Sequence, residues 1–280
     1  MQTLLEATDV WKILHGEKQV RFVDCRFSLA DPMWGSRQYQ EKHIENAVYF
    51  DLEKDLSGPV GKHGGRHPLP DVHKFQKKLA ANGISNQTII IAYDQGASPF
   101  AARFWWLMKY IGHQEVYVIN GGFSSCIAAN FPVTNVVPSF PTANYVLHLQ
   151  SDLIADVEYV KQMIASEKEA IIIDSRERSR YLGETEPIDK KAGHIPGAIN
   201  KVWTDGVKNG SFLADELQVN RFQEISKEKE IIVYCGSGVT AAPNVLLLKN
   251  IGYENVKLYV GSFSDWISYE ENPIAIGDNN

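Results

Sequence analysis

The sequence of 280 residues is poor in cysteine, in long hydrophobic runs and in basic charge. Its three cysteines are an odd number and show no metal-ligand spacing, so neither a disulfide framework nor a metal site can be inferred from them. No apolar run approaches the ~20 residues that a membrane-spanning helix needs, and the N-terminus lacks the charged-then-apolar pattern of a signal peptide. A net charge of −6 argues against a general binder of nucleic acid or of anionic membranes. These absences favour a reduced, cytoplasmic setting.

The composition that remains is that of a globular protein, with 44% hydrophobic and 22% charged residues. The length allows one large domain or two of ordinary size. Helical periodicity and capping signals predict helices. They are expected at Thr8–His15, Asp71–Asn82, Ser98–Ile111, Ala155–Ser166, Asp215–Lys227 and Val239–Lys249. Residues 54–70 and 176–194 are predicted to be long loops.

The chain repeats itself, and the repeat predicts its architecture. One strand-like segment ends in Asp24-Cys25-Arg26 and another, 150 residues later, in Asp174-Ser175-Arg176. The duplication favours a structural salt bridge for both Asp–Arg pairs. Strands that alternate with helices predict an α/β fold with a mainly parallel sheet flanked by helices in each half. We therefore predict domains over residues 1–130 and 146–280, joined by a proline-containing linker over 131–145.

Cys235 follows a short apolar strand and is itself followed by Gly-Ser-Gly and a helix. Glycines let a loop curl so that its N–H groups face inward, and a helix N-terminus adds further donors. A thiol in such a place is expected to ionise more readily than a free cysteine, whose pKa is ~8.5. A buried packing cysteine is the alternative interpretation, but it would not need two glycines within the next three residues.

The two halves differ at this position, since Asp94 stands in the first half where Cys235 stands in the second. A carboxylate cannot replace a thiolate nucleophile, so one active site is expected, in the second half. The first half then either closes over that site and supplies loops to it or serves as scaffold alone.

The segment Cys-Gly-Ser-Gly-Val-Thr from Cys235 to Thr240 resembles the active-site loop of the rhodanese-type sulfurtransferases. Its Gly-Ser-Gly-Val-Thr portion is similar to the 3-mercaptopyruvate branch, whereas the thiosulfate branch carries basic residues directly after the cysteine. The resemblance implies two tandem rhodanese-like domains, the first catalytically inactive. It also implies transfer of sulfur from 3-mercaptopyruvate or thiosulfate to cyanide, a thiol or thioredoxin through a Cys235 persulfide, with ping-pong kinetics and no metal or organic cofactor.

The resemblance implies roles for further residues. Arg180 matches the arginine that grips the donor carboxylate, for which a guanidinium is well suited. Ser237 matches a serine that acts with a histidine and an aspartate from the first half, and His43 and Asp31 are the candidates for these. A structural role for His43 stays open, because His194 duplicates it in the other half.

One departure concerns the second carboxylate-binding arginine of the family, which is missing before the Gly-His pair. Lys190 or Lys191 could substitute as a point charge. Arg66 in the long loop could reach the cleft or remain a solvated charge. The rest of the predicted substrate-binding set lies in the nucleophile loop and comprises Gly236, Gly238, Val239 and Thr240.

Two other functions use related folds. Phosphatases and arsenate reductases of the related loop type place an arginine six residues after the cysteine, and here that position is Ala241. A non-catalytic binding or sulfur-relay module is the other alternative, against which the intact motif at Cys235 argues. The expected partners are a small anionic sulfur donor and a thiophilic acceptor, without nucleic acid or membrane.

Overall fold

The structure is a computed structural model that describes residues 2–97, 99–165 and 170–278. Within these ranges it contains fourteen strands: β1 (Leu4–Leu5), β2 (Val20–Asp24), β3 (His43–Ile44), β4 (Val48–Tyr49), β5 (Ile89–Tyr93), β6 (Val116–Ile119), β7 (Val133–Thr134), β8 (Ile154–Ala155), β9 (Ile171–Asp174), β10 (Ala198–Asn200), β11 (Val207–Lys208), β12 (Ser211–Phe212), β13 (Ile231–Tyr234) and β14 (Val256–Tyr259). Its α-helices are α1 (Ala7–Leu14), α2 (Trp34–Glu41), α3 (Val72–Ala81), α4 (Pro99–Tyr110), α5 (Gly122–Ala128), α6 (Val157–Ala165), α7 (Arg178–Leu182), α8 (Asp215–Phe222), α9 (Ala242–Asn250) and α10 (Ser262–Trp266). Short 3₁₀ helices lie at Ser151–Leu153 and Trp203–Gly206.

Two five-stranded sheets of the same topology confirm the predicted duplication. The first has the order β1-β6-β5-β2-β4 and the second the order β8-β14-β13-β9-β10. Every pairing within both sheets is parallel. The central strands β5 and β13 are fully buried, as expected of parallel strands covered on both faces. The α/β prediction is therefore confirmed.

The two halves pack against each other through α4 and α9. Both helices are buried along almost their whole length, which explains why their sequences are apolar nearly all round. Side chains from the two helices, such as Phe104 and Leu246, belong to one hydrophobic cluster. The contact fixes the position of each sheet relative to the other.

The long loop over residues 54–70 leaves the first half and lies on the second. The ring Nδ1 of His63 is 2.7 Å from Ser268 Oγ, and the amide of Gly64 donates to Asp265 Oδ1 at 2.7 Å. Gly65 has φ +79°, and a Cβ there would lie 2.3 Å from the carbonyl oxygen of Gly261. The first half therefore delivers this loop to the carboxyl edge of the second sheet.

The two Asp-x-Arg segments form the predicted salt bridges. Arg26 Nη2 is 2.6 Å from Asp24 Oδ2, and Arg176 Nη2 is 2.5 Å from Asp174 Oδ2. All four side chains are buried. Each arginine also donates to one carbonyl oxygen just before the next strand segment, that of Lys42 or of Gly193. Each salt bridge therefore fixes the chain that leaves the carboxyl end of its strand, β2 in the first sheet and β9 in the second.

Helix boundaries differ from the predictions at several ends. Ser98 and Ser166 lie outside the described residues, while α8 ends at Phe222 rather than Lys227. There the hydroxyl of Tyr253 lies 2.8 and 2.9 Å from the carbonyl oxygens of Phe222 and Ile225, which satisfies an acceptor that a helix end leaves unpaired. The predicted loop over 176–194 contains α7, which stops at Gly183 with φ +79°.

His113 generates a prediction about acid stability. Its Nε2 donates to the carbonyl oxygen of Thr88 at 2.9 Å, and its Nδ1 lies 3.1 Å from the hydroxyl of Tyr145. Burial lowers the pKa of His113 from 6.5 to about 4. In the unfolded chain His113 therefore binds a proton at about pH 6.5, whereas in the folded chain it binds one only at about pH 4. We expect this histidine to lower the free energy of unfolding by about 1.4 kcal/mol per pH unit as the pH falls through that window.

The measurement is urea unfolding between pH 7.5 and pH 4.5. His113→Gln should be less stable at pH 7.5 and should show a shallower loss on acidification. Exposed His73 provides the control, because His73→Gln should keep the wild-type slope. An unchanged slope in His113→Gln would contradict the proposed origin of the effect.

Candidate active site

Cys235 lies directly after the central strand β13, at the carboxyl edge of the second sheet. Ligand sites of parallel α/β sheets lie at this edge. The side chain is 1% exposed, and the amide of Cys235 donates to Ser262 Oγ at 3.2 Å while its carbonyl accepts from the Phe263 amide at 2.9 Å. Contacts on both sides of the residue therefore fix the direction of its thiol.

One loop amide points at the sulfur. The N–H of Gly238 donates to Cys235 Sγ at 3.1 Å, and Ser262 Oγ lies 4.0 Å from the same atom. Gly238 has φ +75°, and a Cβ there would lie 2.1 Å from the carbonyl oxygen of Val260, so only glycine fits. Helix α9 begins at Ala242, later than predicted, and the loop amide rather than the helix therefore contacts the thiol.

Val239 and Thr240 complete the nucleophile loop, defined here as residues 235–241. Val239 is buried, and its carbonyl accepts from the amide of Ala242 at 3.2 Å, at the start of α9. Thr240 is half-buried. Both residues thus lie in the predicted loop, where they join the thiol to the helix.

Three positively charged side chains surround this loop. Arg103, from the middle of α4, donates to the carbonyl oxygen of Gly238 at 3.1 Å. A Cβ built on Gly236 would lie 2.7 Å from Arg66 Nη2 and 3.5 Å from Arg180 Nη2, so both guanidinium groups stand directly over the residue that follows the thiol. Burial lowers the pKa of Arg66, and the negative charge of the Cys235 thiolate acts in the opposite direction. The predicted residues Arg66 and Arg180 are therefore brought together at Cys235.

Two carboxylates neutralise these guanidinium groups. Glu186 Oε1 is 2.7 Å from Arg180 Nη2, and Asp189 Oδ2 is 3.0 Å from the same nitrogen. Asp189 also pairs with Arg66 across the two halves. The loop that was expected to contribute Lys190 thus contributes Asp189 instead, while Lys190 is exposed to solvent.

Ser237 pairs with a histidine other than the predicted one. His67 Nδ1 lies 2.8 Å from Ser237 Oγ. Burial, together with the positive charges of Arg103 and Arg66, lowers the pKa of His67 to about 4. The imidazole is therefore neutral at neutral pH, and one of its ring nitrogens is a hydrogen-bond acceptor.

His43 and Asp31 lie in different surroundings from those expected. The two ring nitrogens of His43 are 2.5 Å from the Tyr39 carbonyl oxygen and 3.2 Å from that of Val136. Asp31 is exposed and pairs with Arg37. Neither side chain contacts Ser237 in the described part of the chain, because β3 and the loop before α2 lie away from the nucleophile loop.

Asp94 occupies in the first half the place that Cys235 occupies in the second. It follows β5, and its Oδ2 accepts from the amide of Ala101 at 3.0 Å in the first turn of α4. The carboxylate is 2% exposed. It therefore caps a helix at the point where the second half holds its thiol.

All three cysteines are free and buried. Burial is the largest effect that raises the pKa of Cys25 well above its ordinary value, and it raises that of Cys126 to about 12. Neither thiol is adapted to react at neutral pH, and both pack as small hydrophobic residues.

Sequence reasoning missed Arg103, His67 and Asp189. A signal existed for Arg103, since a charged residue interrupts an otherwise apolar helix. His67 follows Arg66 in a polar loop, and nothing local distinguishes it from the nearby His63. Asp189 lies beside the two lysines that were considered in its place.

Fold and site together define a class of protein: a duplicated parallel α/β chain with one buried thiol in a glycine loop after the central strand of its second sheet. A family model described as the rhodanese-like domain matches residues 6–129 and again residues 156–269. The chain therefore belongs to the rhodanese family.

Relatives agree with this placement. The chain is 40% identical over 268 residues to a probable 3-mercaptopyruvate sulfurtransferase from Pseudomonas aeruginosa, with 94% of each chain covered. It is 31% identical to a thiosulfate sulfurtransferase from Mus musculus, with 88% of this chain and 84% of the relative covered. The structure of a 3-mercaptopyruvate sulfurtransferase from Leishmania major superposes with a TM-score of 0.82 at 29% identity, covering 94% of this chain and 73% of that one. The predicted sulfurtransferase class is confirmed.

Among the described residues, no helix is both long enough and apolar enough to cross a bilayer.

The contact between Gly238 and Cys235 generates a second prediction. Gly238→Ala must push the loop away from Val260, so we expect lower thermal stability and at least about a tenfold slower alkylation of Cys235 by iodoacetamide, since the amide donor moves from the sulfur. Gly197→Ala is the matched control, because Gly197 has a similar φ of +77° and no atom lies within 4 Å of its Cβ position. Equal alkylation rates in the two variants would show that the Gly238 amide does not activate the thiol.

Proposed function

We propose that Cys235 takes the outer sulfur of an anionic donor as a persulfide and passes it to a thiophilic acceptor. The donor is 3-mercaptopyruvate or thiosulfate. The observation that carries the proposal is the placement of the thiol, with the Gly238 amide 3.1 Å from Sγ and two guanidinium groups over Gly236. Relatives named for each of the two donors support this pair of candidates.

The chemistry balances for either donor. The Cys235 thiolate attacks the outer sulfur and forms an S–S bond. With thiosulfate the donor S–S bond breaks and sulfite leaves with the electron pair. With 3-mercaptopyruvate the C–S bond breaks, the electron pair passes to carbon, and the thiol proton ends on the pyruvate product. The persulfide sulfur is then attacked by cyanide or a thiol, and the Cys235 thiolate leaves.

Two arginines support recognition of the donor anion. Arg180 and Arg66 both reach Gly236, one from α7 and the other from the covering loop of the first half. A carboxylate or a sulfonate-like group accepts readily from a pair of guanidinium groups. Arg66 therefore takes the part of the second arginine that the loop before His194 lacks, which keeps 3-mercaptopyruvate among the donors. The loop amides of the nucleophile loop stabilise the anionic persulfide.

Ser237 and His67 support proton transfer during turnover of 3-mercaptopyruvate. Their 2.8 Å contact lies two residues from the nucleophile, and the lowered pKa keeps the imidazole neutral, so a ring nitrogen is free to accept from the Ser237 hydroxyl. Thiosulfate carries no thiol proton, so its sulfur transfer needs no such pair. We assign the catalytic histidine to His67 instead of His43 on this contact.

The proposal also includes the domain boundaries, the sulfur acceptor and the cellular location. The matched spans fall within residues 1–130 and 146–280, with 131–145 as linker. Thioredoxin or a small thiol is the proposed biological acceptor and cyanide a laboratory one. Three unpaired thiols support a reducing, cytoplasmic setting.

Intact mass provides the direct test. Incubation with either donor should add the mass of one sulfur atom to the wild-type chain, and a thiol acceptor should remove it. Cys235→Ser should gain nothing, whereas Cys126→Ser should behave as wild type because Cys126 is buried with a raised pKa. An unchanged wild-type mass, or an equal gain in Cys235→Ser, would refute the persulfide.

The role of His67 predicts a difference between donors. His67→Asn keeps a group able to bond Ser237 but removes the base, so single-turnover persulfide formation from 3-mercaptopyruvate should slow about 100-fold while that from thiosulfate changes little. His63→Asn is the control from the same loop, since His63 contacts Ser268 instead. Equal slowing with both donors would assign His67 a structural role.

A further inference from the structure

Asp189 is buried between the two arginines that face the thiol. Its side chain is 3% exposed, its Oδ1 pairs with Arg66, and its Oδ2 lies 3.0 Å from Arg180 Nη2. The same Oδ2 would lie 3.6 Å from a Cβ on Gly236. A carboxylate of the protein thus stands where two guanidinium groups converge beside Cys235.

Glu186, the other carboxylate of this cluster, has a different setting. It accepts from the backbone amides of Ile188 and Asp189 at 3.1 and 3.0 Å, and it lies 3.3 Å from Arg176 Nη1. These bonds tie Glu186 to its own loop and to a buried salt bridge. Asp189 is instead held at the cluster through the two arginine head groups, on the side that faces Gly236.

The charges of the cluster balance. Arg66 and Arg180 contribute two positive charges, and Glu186 and Asp189 contribute two negative ones. An anionic donor that approaches Cys235 therefore meets guanidinium groups whose charge is already compensated. At the point where both guanidinium groups converge, it competes with the Asp189 carboxylate that is already in place.

We propose that Asp189 is an internal occupant of the donor-anion site and sets how tightly anions bind there. This inference rests on the proposed function, since it assigns Arg66 and Arg180 to the donor. A donor exchanges its own anionic group for the Asp189 carboxylate, and Asp189 returns when pyruvate or sulfite departs. The exchange weakens binding of all anions and so limits occupation of the site by ordinary inorganic anions and by the product.

The loop that carries Asp189 lies outside the hydrophobic clusters. It runs from Gly183 to Gly193, both with positive φ, and Pro187, Ile188 and Lys190 within it are exposed. Displacement of Asp189 therefore breaks two ion pairs and leaves the hydrophobic clusters intact. Asp189 acts on anion affinity through the arginines and is a positioning residue.

A pair of alkylating reagents separates this effect from sulfur transfer. Iodoacetate carries a carboxylate, iodoacetamide does not, and both react at the Cys235 thiolate. In Asp189→Asn we expect the ratio of iodoacetate to iodoacetamide rates at Cys235 to rise about tenfold at low salt, because one compensating negative charge is removed beside the thiol. The KM for both anionic donors should fall by a similar factor, with kcat little changed.

Asp278→Asn is the matched control, since Asp278 pairs with Arg178 at the exposed end of α7. It should leave the rate ratio unchanged. Asp189→Ser tests the same loss of charge without an amide between the arginines, and Asp189→Glu, which keeps the charge, should stay near the wild-type ratio. A wild-type ratio in both neutral variants would overturn the proposal.

The readouts also distinguish the two levels of inference. If wild-type Cys235 gains no sulfur from either donor, the proposed function fails, while the alkylation ratio still reports whether Asp189 screens the arginines. If sulfur transfer proceeds but the ratio and the KM are the same in Asp189→Asn, only the role of Asp189 fails. If one neutral variant loses its far-UV circular dichroism signal, it is not folded, and the rate ratio of the other neutral variant decides the test.

Discussion

The site depends on one buried guanidinium that comes from the half without a nucleophile. Arg103 is fully buried in α4 and donates to the carbonyl oxygens of Gly238, His67 and Leu56 at 3.1, 3.2 and 3.4 Å. One side chain thus joins the nucleophile loop to the loop that covers it. Burial lowers the pKa of Arg103 to about 10, so the group stays charged at neutral pH, and the negative charge of the Cys235 thiolate favours that charge. A buried charge without such partners would cost several kcal/mol.

Duplication explains why the two halves divide the work. The sheets have the same strand order, and β5 and β13 both end at a carboxyl edge. At that point the first half uses Asp94 to satisfy the amide of Ala101, whereas the second turns the amide of Gly238 towards a thiol. In the first half, the Asp94 helix cap occupies the carboxyl edge of the sheet. The first half therefore contributes to the site in the second half through Arg103 of α4 and the loop over residues 54–70.

Local chemistry made part of this structure predictable. The strands, the Asp–Arg pairs and the nucleophile loop each depend on residues close together in sequence, as in the bond between Arg176 and Asp174, two residues apart. The missed contacts join distant segments. His67 and Ser237 are 170 residues apart, and a one-dimensional pattern cannot decide which of several loop histidines a long covering segment presents.

The same reasoning explains why the positively charged Lys190 was expected at a place that the negatively charged Asp189 occupies. A missing arginine before His194 suggested a basic substitute from the same loop, because the sequence could not decide whether Arg66 reaches the cleft. The loop over residues 54–70 brings Arg66 across the interface to Asp189, which is 123 residues away in the sequence. A second cation from the loop before His194 would then leave excess positive charge, so a carboxylate is favoured there.

Compensation of charge is common to the contacts around Cys235. Burial lowers the pKa of His67, and the positive charges of Arg103 and Arg66 lower it further, so His67 stays neutral. Arg66 and Arg180 are compensated by Asp189 and Glu186. In the exchange proposed above, a donor that takes the place of Asp189 would leave the number of paired guanidinium groups unchanged. Beside these charges the Gly238 amide donates to Cys235 Sγ, and this dipole is fixed by a glycine that no other residue can replace.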